Sequence, residues 1–134
     1  MKVLLLVCIA SVYAGSIIQG QAVGESCLKN PNFLIRLFTV DPWPLFQHQG
    51  YSISMFGTFT KTELLDQLTV GVKKDFSWNY TFFNINQNFL VNTNQTFNYQ
   101  IAGPPSKGSY TEQVTLHRPD YSTFACWEFT YQIS

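Results

Sequence analysis

Residues 51–60 read YSISMFGTFT, a stretch in which apolar and small polar side chains alternate with a period of two. The apolar face holds Tyr51, Ile53, Met55, Gly57 and Phe59. The opposite face holds Ser and Thr, with Phe56 as its one aromatic side chain. Successive side chains of a β-strand point to opposite sides, so this alternation predicts a half-buried strand.

The same alternation recurs along most of the chain after Gly24. Strands are predicted at 33–40, 51–60, 68–73, 76–82, 97–101, 110–117 and 123–133. Proline, glycine or asparagine separates neighbouring segments at 41–44, 92–94 and 103–105, and a helical turn is expected at 62–66. About seven short strands with turns between them predict an all-β fold, an antiparallel β-sandwich.

Length and composition bound the kind of protein this is. The chain has 134 residues, enough for one domain with one core. Hydrophobic residues make up 46% and charged residues only 12%, which excludes intrinsic disorder. Eight Lys and Arg residues balance eight Asp and Glu residues, and the longest basic run is Lys73 and Lys74. No nucleic-acid partner is expected, because tracking phosphates needs a basic patch.

The N-terminus is predicted to be a secretory signal peptide. Lys2 is followed by the apolar run VLLLVCIASVYA at 3–14, which is shorter than the roughly 20 residues that span a bilayer. We expect residues 1–14 to be removed, with Ala22 as a later alternative end, and the mature domain to cover 27–134.

Cysteine usage agrees with export. Cys8 lies in the predicted signal peptide, so the mature chain keeps Cys27 and Cys126. In an oxidising compartment two such cysteines most simply pair with each other, and two free buried thiols are the alternative.

Other motifs are few. Asn79 and Asn94 begin the sequons NYT and NQT and are predicted glycosylation sites, with Asn79 on the outward face of its strand. No metal or other cofactor is expected, since the ligand types occur in no spaced cluster. Catalysis is not expected either, because no G-x-S-x-G elbow is present. Glu112, His117 and Asp120 are interpreted as surface polar residues at a strand end.

The aromatic content leaves two interpretations of the interior. Aromatic residues make up 16% of the chain, and the run at 76–82 alternates Phe76, Trp78, Tyr80 and Phe82 with Ser, Asn and Thr. These rings are predicted to face inward. Either they fill a solid core, or the sheets splay and the rings line an apolar cavity that suits a lipid or sterol.

The residues resemble the ML lipid-recognition family, which includes the Niemann-Pick type C sterol-transfer protein and the phosphatidylglycerol and phosphatidylinositol transfer proteins. The resemblance rests on the signal peptide, the early Cys27, DPWPLFQHQG at 41–50 and GTFT at 57–60. Most specific is the ending GPPSKGSYTEQVTLHRPDYSTFACWEFTYQI at 103–133, with its late cysteine.

The resemblance implies an immunoglobulin-like sandwich with a lipid-sized cavity between its sheets. By position, Cys27 and Cys126 match the outermost of the disulfides usual in the family. Together with the alternating faces, the likeness predicts a cavity wall made of Ile53, Met55, Phe59, Val70, Val72, Trp78, Tyr80, Phe82, Phe97, Tyr99, Val114, Trp127 and Phe129.

Two functions from different classes follow. The first is a non-enzymatic, monomeric carrier that shields a phospholipid or sterol and moves it between membranes through transient contact with them. It would be secreted or lie in the endolysosomal lumen. The second is a secreted recognition or adhesion module with a solid core, in which exposed aromatics such as Trp43 or Phe56 contact a protein or glycan.

Overall fold

The computed structural model describes residues 20–134, and the regular elements in this range are β-strands. They are β1 Gln21–Ala22, β2 Glu25–Ser26, β3 Phe33–Asp41, β4 Tyr51–Phe59, β5 Glu63–Lys74, β6 Ser77–Phe89, β7 Asn94–Ile101, β8 Gly108–His117 and β9 Thr123–Ile133. In this part of the chain there is no helix long and apolar enough to cross a membrane. The predicted signal peptide at 1–14 lies outside the described residues, and cleavage as late as Ala22 would remove β1.

The strands form two antiparallel sheets. A four-stranded sheet has the order β1-β3-β4-β7, and a five-stranded sheet has the order β2-β9-β8-β5-β6. The predicted antiparallel sandwich is confirmed. The edge strand β6 of one sheet faces β7 of the other, and the rings of Phe83 and Tyr99 pack with their centroids 4.4 Å apart.

The helical turn predicted at 62–66 is wrong. Glu63 opens β5 and pairs with Phe89 of β6, and Leu65 pairs with Gln87. The register shifts between Leu65 and Gln67, where one residue of β5 lies opposite two residues of β6, so β5 continues through the place where its alternation is interrupted.

The core lies between the sheets, and the alternation of β4 confirms the pattern read from its sequence. Ile53 pairs with Tyr99 and Met55 with Phe97. Beyond them the rings of Phe33, Phe59, Phe89 and Phe97 pack on one another, with centroid separations from 4.6 to 5.9 Å.

The N-terminal segment is held against the last strand. Cys27 and Cys126 form a disulfide with their Cα atoms 5.1 Å apart, which confirms the predicted pairing. The Cys27 amide also donates to the Cys126 carbonyl at 3.0 Å, and Ser26 pairs with Trp127. This cross-link joins the two ends of the described domain.

Candidate functional site

Most of the predicted cavity wall is solid core. Seven of these residues have exposed fractions of 0 to 4%: Ile53, Met55, Phe59, Val70, Phe97, Val114 and Phe129. Val72, Tyr99 and Trp127 are partly buried and pack at the border of the core. The sheets therefore do not splay over the middle of the sandwich, and any ligand space must lie at its ends or edges.

Three predicted wall residues, Trp78, Tyr80 and Phe82, lie on the outer face of the five-stranded sheet instead. In the register between β5 and β6, Asn79 pairs with Val72 and Thr81 pairs with Val70. Paired residues share a face, so the inward Val72 and Val70 bring Asn79 and Thr81 inward and turn the aromatic residues out. Tyr80 is 55% exposed and Phe82 58% exposed.

This register also corrects the orientation predicted for Asn79. Its side chain shares the face of Val72, yet it is exposed because β6 is the edge strand of its sheet. Asn94 is exposed at the start of β7, and its Oδ1 accepts a hydrogen bond from Thr58 Oγ1 at 2.7 Å. Glycosylation of either residue stays a prediction.

A cavity of about 260 Å³ opens between the two sheets at the end of the sandwich where β4 begins and β7 ends. We call this space the inter-sheet cavity. It is lined by Tyr51, Val72, Lys74, Asn79, Thr81, Ile101, Ala102, Gly103, Pro104, Pro105, Tyr110 and Tyr131. Val72 is the one residue of the predicted wall that lies in this lining.

The loop at 102–105 forms one lip of the inter-sheet cavity and is bonded to its surroundings. The His48 amide donates to the Pro104 carbonyl at 2.8 Å, and Gln47 Nε2 donates to the Pro105 carbonyl at 3.1 Å. Gly103 lies so close to the Gln49 backbone that a Cβ atom there would collide with it. The proline-rich stretch therefore has a fixed shape beside the opening.

The five-stranded sheet supplies the opposite lip. Lys74 Nζ donates to Ser106 Oγ at 2.8 Å, and Tyr110 Oη donates to the Ser106 carbonyl at 2.6 Å. These bonds join the end of β5 to the residues that follow the proline-rich loop, so the two lips are held at a defined separation.

Glu112 lies in the interior next to the inter-sheet cavity, not at the surface as its sequence context suggested. It is fully buried, pairs with Val72 across β5 and β8, and accepts a hydrogen bond from the Tyr51 hydroxyl. Its Oε2 has no hydrogen-bond partner among residues 20–134. The one signal in the sequence was its place between Tyr110 and Val114 in the inward register of its strand.

Burial sets the electrostatics of this pair. Loss of solvation raises the pKa of Glu112 to about 8, and the hydrogen bond from Tyr51 only partly opposes this. Burial and the nearby carboxyl also raise the pKa of Tyr51 above its ordinary range. Both groups are therefore neutral at neutral pH, which is the state that an apolar interior favours.

Trp43 and Phe56, which the sequence suggested as exposed recognition residues, are both partly buried. Trp43 folds back over the core, with its ring 6.1 Å from that of Phe129, and Phe56 is half-buried. The outward rings of β6 are a better candidate surface. Trp78, Tyr80 and Phe82 stack in a row with centroids 5.9 and 6.1 Å apart, and we call them the aromatic strip.

Comparisons with known proteins identify the fold. No protein-family model and no curated protein matches the chain. Among solved structures, a Niemann-Pick type C2 protein from Japanese carpenter ant matches with a TM-score of 0.62 at 9% identity, over 84% of this chain and 99% of that one. The C-terminal domain of wzt matches with a TM-score of 0.64 at 10% identity, over 90% of this chain and 83% of that one. Chicken MD-1 complexed with lipid IVa gives 0.47 at 13% identity, over 84% and 98% of the two chains.

The chain thus has the fold of a Niemann-Pick type C2 protein, as the sequence resemblance to the ML family implied. The score for the wzt domain is nearly the same, so the fold is common to more than one kind of protein.

Proposed function

We propose that this protein is a lipid-binding β-sandwich of the ML type, which takes the apolar part of a lipid into the inter-sheet cavity. One observation carries the proposal: a largely apolar cavity opens between the sheets, in a fold shared with a Niemann-Pick type C2 protein. Apolar area leaving water contributes roughly 25 cal/mol per Å², so no covalent chemistry is needed to hold such a ligand.

The size of the inter-sheet cavity limits what enters it as the sheets stand. Its 260 Å³ lies just below the roughly 300 to 1,000 Å³ of ordinary ligand pockets. A single acyl chain is the best fit, while a sterol or a two-chain phospholipid requires the lips to separate. Behind the opening, Tyr51 and Glu112 close the way into the packed core.

Location and transport belong to the same proposal. The Cys27–Cys126 disulfide supports residence in an oxidising compartment, either outside the cell or in the endolysosomal lumen. The protein would release its lipid at a second membrane and so act as a transfer protein without enzymatic activity.

The test is lipid capture by the purified protein and by a cavity variant. Native mass spectrometry should show bound lipid, and Val72→Asp should abolish it, because a lipid chain entering the cavity would strip the new carboxylate of water, which is strongly disfavoured. Ser109→Asp is the matched control, since Ser109 is exposed on β8 and does not line the inter-sheet cavity. Equal loss in both variants, or no capture of phospholipid, sterol or fatty acid by the parent protein, would refute the proposal.

The packed core favours a second candidate, a recognition module that contacts its partner through the aromatic strip. The rings lie close to the sheet: a Cβ atom added at Gly71 would stand 2.8 Å from the Tyr80 ring. This module would bind no lipid. Its binding to the partner would be weakened by Phe82→Ala and not by Val72→Asp.

A further inference from the structure

The hairpin between β5 and β6 ends in an exposed phenylalanine. Lys74 and Ser77 are the last paired residues, and Asp75 and Phe76 make the two-residue turn. The Phe76 side chain is 97% exposed. Tight hairpin turns favour Gly, Asn and Asp, so the turn itself gives no reason for a phenylalanine at its tip.

This tip stands beside the opening of the inter-sheet cavity. Val72 and Lys74 on one side of the turn, and Asn79 on the other, line the cavity. Farther along β6, the aromatic strip begins at Trp78, two residues beyond Phe76. The apolar tip therefore adjoins the opening through which a lipid would pass, and the Trp78 end of the aromatic strip lies beside the tip on the outer face of the sheet.

Basic side chains surround the tip. Lys73 Nζ lies 5.9 Å from the centroid of the Trp78 ring, and Lys74 bonds to Ser106, which precedes the exposed Lys107. The acidic residue within the tip is Asp75. Asp41 lies at the same end of the sandwich but in the other sheet, on β3, which is separated from β7 by β4. The three lysines leave the tip with a net positive charge.

We propose that residues 73–78 together with Lys107, here called the docking tip, bind the surface of an anionic lipid bilayer. Phe76 enters the acyl region, Trp78 and Tyr80 lie at headgroup depth, and the lysines contact lipid phosphates. This inference rests on the proposed function, because docking in this orientation presents the opening of the inter-sheet cavity to the bilayer. One inserted ring and a few lysines give weak, reversible attachment, which suits a carrier that must leave again.

The first test is flotation of the full protein with vesicles of phosphatidylcholine containing phosphatidylserine. Phe76→Ser should lower the vesicle-bound fraction at least tenfold, since the ring loses its burial in the bilayer. It should leave thermal stability unchanged, because the ring is 97% exposed. The matched control is Leu90→Ser, which removes a side chain that is 63% exposed in the turn at the far end of β6.

The second test separates charge from insertion. Lys73→Gln combined with Lys107→Gln should weaken binding to these vesicles about 25-fold, about fivefold for each lysine. Binding to vesicles of phosphatidylcholine alone should not change. Added salt should reproduce the loss for the parent protein, since screening shortens the reach of exposed charges.

A soluble probe distinguishes docking from lipid binding. A fluorescent fatty acid kept below its micellar concentration should bind Phe76→Ser as well as it binds the parent protein. If the parent floats with vesicles but binds neither this probe nor a soluble fluorescent sterol or phospholipid, the proposed function fails and docking stands. If the parent does not float, or if Phe76→Ser and Leu90→Ser float equally, the docking tip is refuted whatever the probe shows.

Discussion

At the scale of single residues, Glu112 shows how burial changes the meaning of a polar side chain. Its carboxyl accepts from Tyr51 and lies next to Val72 in the sheet, directly behind the inter-sheet cavity. A buried polar atom without a hydrogen-bond partner costs free energy, and Oε2 of Glu112 is such an atom. Such a group makes the stability of the fold depend on pH.

The first prediction is that stability falls as the pH rises from 5 to 8. The pKa of Glu112 is raised from 4.5 to about 8, so the folded state holds a proton that the unfolded state has lost in this range. The stabilisation is present below pH 4.5 and disappears as the pH passes 8, a change of up to about 5 kcal/mol. Glu112→Gln should flatten the profile in urea unfolding at pH 5 and pH 8. An unchanged slope would show that Glu112 is not its source.

Higher stability at acidic pH suits an endolysosomal lumen, one of the two compartments proposed. Glu63 affects the stability of the fold at a lower pH than Glu112 does. Burial raises the pKa of Glu63, but hydrogen bonds from Arg118 and Asn32 outweigh this and lower the pKa. Its contribution is lost only as the pH falls below the ordinary range of a carboxyl, so it does not obscure the effect of Glu112.

At the scale of elements, the two faces of β6 carry residues of the two candidate sites. Its odd-numbered residues pair with the inward face of β5, and its aromatic strip lies outside. The same strand therefore contributes Asn79 and Thr81 to the inter-sheet cavity and Trp78 to the docking tip.

The prediction at this scale compares two Phe→Ala changes. Phe97→Ala removes a ring that is 4% exposed and packs on Phe33 and Phe89, so it should cost about 3 to 5 kcal/mol of unfolding free energy. Phe82→Ala removes a ring that is 58% exposed and should cost less than about 1 kcal/mol. Chemical denaturation of both variants is the measurement, and equal losses would contradict the outward placement of Phe82.

At the scale of the whole molecule, the disulfide and the packed core restrict opening to one end. Cys27 and Cys126 tie the N-terminal segment to β9, and Trp127 Nε1 donates to the Val23 carbonyl at 2.8 Å on the same side. The far end is filled by the rings around Phe59. Wider opening at the inter-sheet cavity would have to break the hydrogen bonds that Lys74 and Tyr110 make to Ser106.

The prediction for the molecule concerns the cross-link. Replacing both cysteines, Cys27→Ser with Cys126→Ser, should lower the unfolding free energy by about 2 to 5 kcal/mol, because the unfolded chain regains the entropy of a long open loop. Denaturant unfolding at fixed pH is the measurement. A double variant with the midpoint of the parent protein would show that the disulfide does not stabilise the fold.

The positions of most strands and the antiparallel sandwich could be predicted from the sequence alone, and pairing of Cys27 with Cys126 was the simpler of two predictions for these cysteines. Period-two alternation and turn residues are local properties, and Cys27 and Cys126 are the two cysteines that follow the predicted signal peptide. Three features required the three-dimensional structure: the aromatic strip faces outward, Glu112 is buried, and the core is filled around Phe97. Alternation shows that the two faces of a strand differ, but the register with the neighbouring strand selects which face meets the core.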